Sequence, residues 1–325
     1  MKAVLCKEFG QVDRLVLEDV APLHAGAGQV VIAVKACGVN FPDGLIVQGK
    51  YQTKPPLPFS PGLEVAGVIQ EVGAGVEDLA IGQNVIAFPG VGGMAQEVMV
   101  ESWLVFPMPD SMSFADGAGF LITYATSHHA LKTRGGLKPG ETLLVLGAAG
   151  GVGLTAVEIG KVMGAWVIAA ASSDEKLALC RDYGADETIN YATENLRDRI
   201  KALTAGKGVD VVYDPVGGEL AEQAVRGMAW LGRYLVVGFA AGDIPRIPLN
   251  LLLLKSSALI GVYWGAALKA DPAKGRADVA ELLDWYSAGK LKPCVSATYT
   301  LDKAAEAIAH VMGRQAKGKT IVVMA

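Results

Sequence analysis

The sequence predicts an α/β protein in two parts, a β-rich, barrel-like unit and a doubly wound parallel sheet with helices on both faces. Three observations carry that prediction. At 325 residues the chain is long for a single core. Its texture changes near residue 120, from short β-rich runs to strand–helix alternation. A glycine-rich turn then joins an apolar strand to an amphipathic helix.

Before residue 120 the runs "AVLCK", "RLVLEDV", "QVVIAVKACG", "EVAGVIQEVG", "QNVIAFP" and "AQEVMV" are separated by Gly/Pro turns such as "KPPLPFSPG". Short strands at this spacing suit a barrel-like all-β unit. From residue 140 the strands "TLLVLG", "AWVIAAA", "ETIN", "VDVVYD" and "RYLVVGF" alternate with helices expected from about 151, over "DEKLALCRDYG", near 194–204 and near 219–230. Two amphipathic runs, "ADVAELLDWYSAG" and "LDKAAEAIAHVM", precede a last strand, "KTIVVMA", which can return to close the first domain.

Composition narrows the function. A net charge of −4 leaves no basic field with which to displace counterions from nucleic acid. The four cysteines contain no C-x-x-C pair, and neighbouring His128 and His129 would diverge on a helix, so neither a disulfide framework nor a structural zinc is expected. The N-terminus lacks the apolar core of a signal peptide. The most apolar stretch, "IPLNLLLLKSSALIGVYWGAAL", is interrupted by Asn250, Lys255 and serines. It reads as buried strand and helix and not as a membrane span. A cytoplasmic protein is expected.

The segment "TLLVLGAAGGVGLTAVEIGKVMG" has the context of a dinucleotide site. Gly150 lets backbone approach a pyrophosphate, Gly153 lets helix pack on strand, and Gly150, Gly151, Val152 and Gly153 bring the helix N-terminus to the anion. The alternative is a tight turn with nothing bound. At the next strand end, Ser172 and Ser173 stand where a carboxylate would hold ribose hydroxyls, and Lys176 follows within a turn. Hydroxyls and a cation suit a 2′-phosphate, hence NADPH. Against this, Ser173 can simply cap the helix, and Asp174 can serve as a displaced ribose ligand for NAD.

"GETLLVLGAAGGVGLTAVEIGK" resembles the signature of the zeta-crystallin or NADPH:quinone oxidoreductase branch of the medium-chain dehydrogenase/reductase superfamily, departing at Glu158, where glutamine is usual. "CGVNFPD", "PGLEVAGVI", "INY" and "DPVGG" follow in family order, so the resemblance spans nearly the whole chain. It implies a GroES-like catalytic domain over 1–122 and 262–325, a Rossmann NADP-binding domain over 123–261, and a homodimer, with the strand "SALIGVYW" as a candidate contact.

The zinc enzymes of the superfamily carry a cysteine ligand where this chain has Asn40 and a histidine ligand where it has Leu63. Leucine cannot bind zinc, and Glu64 alone makes no three-ligand site. A metal-free site follows, with Cys37 packing beside a turn or, as the alternative, reactive. Without a Lewis acid the suitable acceptors delocalise the arriving charge themselves, as quinones and enones do. Asn40 can donate its amide to such a carbonyl, or else satisfy local backbone; Tyr51 has a phenol for the same task.

The resemblance also implies cofactor contacts. Thr126 corresponds to a threonine ahead of the glycine loop. Lys176 and Tyr191, with Ser173 beside them, correspond to the group that holds the 2′-phosphate. Arg314 corresponds to a C-terminal arginine on that phosphate, with Lys317 and Lys319 as alternatives. Phe239 and the backbone near Ala241 correspond to the loop flanking the nicotinamide. The expected activity is metal-independent, NADPH-dependent hydride transfer to a quinone or other conjugated carbonyl. A 2-enoyl thioester reductase and a crystallin-like NADPH-binding structural protein are the alternatives.

Overall fold

Strands begin at the N-terminus with β1 (Lys2–Leu5), β2 (Val16–Asp19), β3 (Gln29–Val39), β4 (Glu64–Val72), β5 (Asn84–Ala87), β6 (Glu97–Glu101) and β7 (Val105–Pro107) in the computed structural model, which describes residues 1–324. Six more alternate with helices: β8 (Thr142–Leu146), β9 (Trp166–Ala171), β10 (Glu187–Asn190), β11 (Val209–Asp214), β12 (Met228–Val236) and β13 (Ala258–Gly261). The chain then adds β14 (Val295–Thr300) and β15 (Lys319–Val323). Two units result, Met1–Ile122 with the segment from Lys292 onward, and Thr123–Leu291.

In the first unit the sheet order is β14-β15-β3-β4-β5-β7, with β6 also paired to β3, while β1 and β2 form a separate antiparallel pair. The apolar run of β3 is buried along most of its length because partners flank it on both edges and side chains cover it. Val30, Ile32, Val34, Cys37 and Val39 join Val65, Ile69, Val85, Val98 and the C-terminal Ile308 and Val322 in one core. The last strand does return to this domain. It runs antiparallel to β3 with Thr320 opposite Val39 and Ile321 opposite Gly38. That register carries Lys319 to the end of β3, next to Asn40.

In the second unit six strands run parallel in the order β10-β9-β8-β11-β12-β13. The chain winds outward from β8 in both directions, so the loop after β8 lies where the strand order reverses, the place where open α/β sheets bind ligands. Leu144, Leu146, Ile168, Ile189, Val212 and Tyr234 form the core on one side with Leu196, Ile200, Ala221 and Val225 of the connecting helices.

Three expectations change. The helix expected over 219–230 spans Glu219–Gly227, and β12 begins at Met228, five residues before "RYLVVGF". Residues 262–291 belong to the second unit, not the first: the helix Pro272–Ser287 bonds to residues 128–133 of that unit through Glu281 and Lys274, so the return falls at Lys292 and not at 262. The leucine-rich stretch is buried only in part: Leu251 and Leu252 pack against the core and Trp264 and Leu268 are buried, but its middle is open. Leu253 and Leu254 are 79% and 70% exposed, and β13 is the outermost strand of its sheet, with an open edge. Among the described residues no helix is long and apolar enough to cross a membrane.

Candidate active site

The segment singled out for chemistry in the first unit begins where β3 ends. Asn40 follows β3 and leads the helix Phe41–Val47, with Pro42 in the first turn, where a missing N–H costs no helical bond. Asp43, the third residue of that helix, turns back so that Asn40 N–H donates to its Oδ2 at 2.7 Å, while Gly62 N–H donates to its Oδ1 at 3.0 Å. One carboxylate thereby ties the end of β3 to the "PGLE" loop.

The Asn40 side chain turns the other way. Lys319 Nζ donates to Asn40 Oδ1 at 2.8 Å, to Glu64 Oε1 at 2.8 Å and to the carbonyl of Val39 at 3.0 Å. Asn40 Nδ2 donates to Glu64 Oε1 at 2.9 Å and, more loosely, to Gly38 O at 3.3 Å. The second oxygen of Glu64 accepts from Ile122 N–H at 2.9 Å. Glu64 is fully buried, and Asn40 and Lys319 are each 6% exposed. Truncating either charge would strand the other, a cost of about 3–5 kcal/mol for buried pairs. Gly38 makes room for this packing: a Cβ there would lie 2.1 Å from Ala118 O and 2.7 Å from Glu64 Oε1.

Asn40 therefore does bond local backbone, but its principal partners are two charged groups that the sequence does not reveal. Lys319 is corrected as an alternative phosphate ligand, because its three N–H bonds are all made inside the protein. Leu63 is buried in an apolar cluster with Cys6, Ile46, Val47 and Phe59, and Tyr51 packs against the same cluster. Cys37 is buried and burial pushes its thiol well above the ordinary range, which fits packing and not nucleophilic chemistry. Arg314 lies on the surface of this unit just after the helix Ala304–Met312, with a positive φ of 58°.

In the second unit the loop after β8 has the geometry an anion needs. Gly153 admits no side chain, since a Cβ would lie 2.3 Å from Gly147 O and 2.8 Å from Ala148 Cα. Gly150 is different: a Cβ there would meet only Gly147 O, at 3.4 Å, so no internal packing demands glycine and the bare backbone is open to a ligand. The first helical bond runs from Leu154 N–H to Gly150 O at 2.8 Å, which leaves the amides of Gly151, Val152 and Gly153 ahead of the helical ladder. These residues fit a dinucleotide pyrophosphate. Buried hydroxyls brace the turn. Ser127, next to Thr126, donates to Val152 O at 2.9 Å and bonds both Thr155 and Tyr213, each at 2.9 Å. Glu158 accepts the Tyr124 hydroxyl at 2.6 Å, a contact that needs only the side-chain oxygen glutamine would share.

At the end of β9, Ser173 caps the helix Asp174–Asp182, accepting Lys176 N–H at 3.4 Å, and Lys176 Nζ reaches Ser172 Oγ at 3.5 Å. Tyr191 joins this edge through its N–H to Ala171 O at 3.1 Å. Asp174 is tied to Asn190 Nδ2 at 2.8 Å, so the carboxylate that could have served a ribose is held within the protein. Ser172, Ser173, Lys176 and Tyr191 thus share one strand edge; Arg314 belongs to the other unit. The loop bearing Phe239 and Ala241 rests on the "DPVGG" turn, with Ala240 and Ala241 N–H donating to Pro215 and Val216 carbonyls at 3.0 and 2.9 Å. Asp214 sets that turn by accepting N–H from Val216 and Gly217 at 2.7 and 2.9 Å, and it also accepts the Tyr234 hydroxyl.

His128, Asp278 and Glu281 bring metal-ligand atoms within 4.8 Å of one another. Ammonium groups already serve both carboxylates, Lys132 at Glu281 and Lys274 at Asp278, and burial holds His128 below the ordinary imidazole value.

Comparison with known proteins agrees with this geometry. The alcohol dehydrogenase GroES-like domain matches residues 26–110, and the zinc-binding dehydrogenase model matches residues 151–288. The chain is 42% identical to the quinone oxidoreductase-like protein 2 homolog of Nematostella vectensis, across 99% of this chain and 88% of that protein. It belongs to the quinone oxidoreductase family of the medium-chain dehydrogenase/reductase superfamily. The Escherichia coli quinone oxidoreductase, solved in complex with NADPH, is similar at TM-score 0.93 and 27% identity, over 99% of this chain and 100% of that one. The CurK enoyl reductase is similar at TM-score 0.91 and 26% identity, over 100% and 99%. The fold is that of the family, a GroES-like domain and a Rossmann-type parallel sheet.

The buried cluster has a pH signature. Burial pushes the Asp43 carboxyl up to about 7, against the Asn40 and Gly62 amides and Lys319, which draw it down. With the folded value above the unfolded one of about 3.9, the protonated form favours folding; that share of stability is present at low pH and lost as pH rises through 7. Between about pH 5.5 and pH 8 the native state should lose about 2 kcal/mol relative to Asp43→Asn, read as the difference between their urea-melt profiles. Parallel profiles would show that Asp43 stays ionised throughout.

Proposed function

We propose that this chain is a metal-independent reductase that takes hydride from NADPH and passes it to a quinone or another conjugated carbonyl. The observation that carries the metal-independent part is the chemistry of two side chains. Leu63 is packed in an apolar cluster, and Asn40 is bonded to an ammonium and a carboxylate, so neither position offers a zinc ligand. The family relationship and the NADPH bound to the Escherichia coli relative support the cofactor.

Bound NADPH supplies the hydride; the protein's residues do the rest. The amides of Gly151, Val152 and Gly153 hold pyrophosphate at a helix N-terminus. Lys176, with Ser172, Ser173 and Tyr191, holds the 2′-phosphate, assisted by Arg314, while Thr126, Phe239 and Ala241 line the cofactor. Asn40 lends a hydrogen bond to the acceptor carbonyl, and the phenol of Tyr51 supports the developing oxyanion or delivers its proton. A quinone suits this equipment because its own ring spreads the charge that a metal would otherwise take.

The similarity to the CurK enoyl reductase favours one second reading, reduction of a 2-enoyl thioester with Tyr51 as proton donor. Turnover of 9,10-phenanthrenequinone and of crotonyl-CoA with NADPH separates the two, and the quinone is expected to win. Lys176→Ala or Arg314→Ala should weaken NADPH roughly 10- to 150-fold, the worth of one charged hydrogen bond, and leave NADH nearly unchanged in fluorescence titrations. Equal weakening of both cofactors would refute the phosphate assignment.

Self-association through the second unit completes the proposal. The open edge of β13 lies beside exposed Leu253, Leu254 and Leu259, an apolar surface that a second copy of the chain would cover. Light scattering should give a dimer mass for the native chain and a monomer mass for Leu253→Asp/Leu254→Asp. A native monomer would remove this part of the reading.

A further inference from the structure

Asn40 lies between neighbours of opposite hydrogen-bonding character. The ammonium of Lys319, which only donates, faces Oδ1 at 2.8 Å; the carboxylate of Glu64, which accepts, faces Nδ2 at 2.9 Å. Only one of the two amide orientations satisfies both. The flipped one would press N–H against ammonium and carbonyl oxygen against carboxylate. Of the two Nδ2 hydrogens, one is committed to Glu64 and the other makes the longest bond of the cluster, 3.3 Å to Gly38 O. That second N–H is the one a carbonyl can divert at small cost. The cation at Oδ1 also draws electron density through the amide and makes its N–H groups better donors.

We infer that Lys319 and Glu64 are positioning residues for the reduction step, holding the Asn40 amide so that N–H and never C=O is offered to the acceptor carbonyl. The inference rests on the proposed reading of Asn40 as hydrogen-bond donor to that carbonyl. The scaffold is built for this task. Asp43 pins the Asn40 backbone through its N–H, the register of β15 against β3 fixes the base of Lys319, and Ile122 N–H fixes the far oxygen of Glu64. Lys319 comes from 279 residues downstream of Asn40, so the amide is oriented by the last strand of the chain.

The test uses the full-length chain with NADPH and 9,10-phenanthrenequinone. Lys319→Met should lower kcat roughly 10- to 100-fold with NADPH binding within about twofold of native, as expected when a group that orients a reacting partner is lost. Asn40→Ala should show a similar loss, and Asn40→Ala/Lys319→Met a loss no larger than either alone, because the lysine acts through the asparagine. Lys319→Arg should recover much of the rate. Lys319→Met/Glu64→Gln, which removes both members of the buried ion pair together, should fold and still turn over slowly. Losses that multiply in the Asn40→Ala/Lys319→Met pair, or a folded Lys319→Met of native kcat, would overturn the inference.

A native protein that binds NADPH and reduces no quinone would defeat the functional reading instead. The amide clamp is then read directly by NMR with nitrogen-15 in asparagine. The Asn40 side-chain N–H protons should exchange slowly with solvent in the native chain, where both are bonded, and markedly faster in Lys319→Met. Side-chain N–H protons of Asn40 that exchange as fast in the native chain as in Lys319→Met would overturn the clamp whatever the activity.

Discussion

A lysine ammonium withdrawn from water must be surrounded by acceptors, and the first unit is arranged around meeting that demand for Lys319. Its three N–H bonds go to a main-chain carbonyl, an amide oxygen and a carboxylate, on β3, on the residue after it and on the first residue of β4. Satisfying one cation thus draws together three stretches of chain far apart in sequence. The cost of desolvating it is repaid only if all three are in place, so the arrangement is held as a whole. The C-terminal strand cannot lie at an edge, as its position after a helix would permit. It must insert between β14 and β3 to bring Lys319 to this spot.

The same cluster explains why the segment at 37–43 looks like a degraded metal site in sequence and not in structure. By the resemblance read from the sequence, Asn40 and Leu63 stand where zinc enzymes of the superfamily carry ligands. Here position 40 is occupied by a residue whose oxygen and nitrogen answer a cation on one side and an anion on the other. In the proposed metal-free reading the local field is supplied by Lys319 and Glu64. In the second unit the economy is different. There the amides of Gly151, Val152 and Gly153 stand ahead of the helical ladder, and the side chains of Ser127, Thr155 and Asp214 bond main-chain groups.

The fold was largely legible because its signals are local. Strand–helix alternation, the glycine turn after "LLVLG" and the β-rich first third all report on neighbouring residues. The amide set Gly151–Gly153 and the edge formed by Ser172, Ser173, Lys176 and Tyr191 likewise come from single turns between one strand and the next. What escaped were long-range electrostatic pairings. Nothing near Lys319 marks it as buried, since "AKGK" reads as a basic tail until β15 is threaded beside β3. Asp43, which no motif singles out, binds two backbone amides. The leucine-rich stretch fails for the converse reason: hydrophobicity alone does not separate Leu251 and Leu252, which pack inward, from Leu253 and Leu254, which are exposed ahead of the open edge strand β13.

In the proposed reading hydride transfer needs no metal, because the Asn40 amide, oriented by Lys319 and Glu64, meets the acceptor carbonyl. Metal independence is tested most directly by following NADPH oxidation at 340 nm with 9,10-phenanthrenequinone, for protein dialysed against EDTA and for the same protein resupplied with zinc. The same kcat is expected in both, with NADPH preferred to NADH. Activity lost on dialysis and restored by zinc would contradict it.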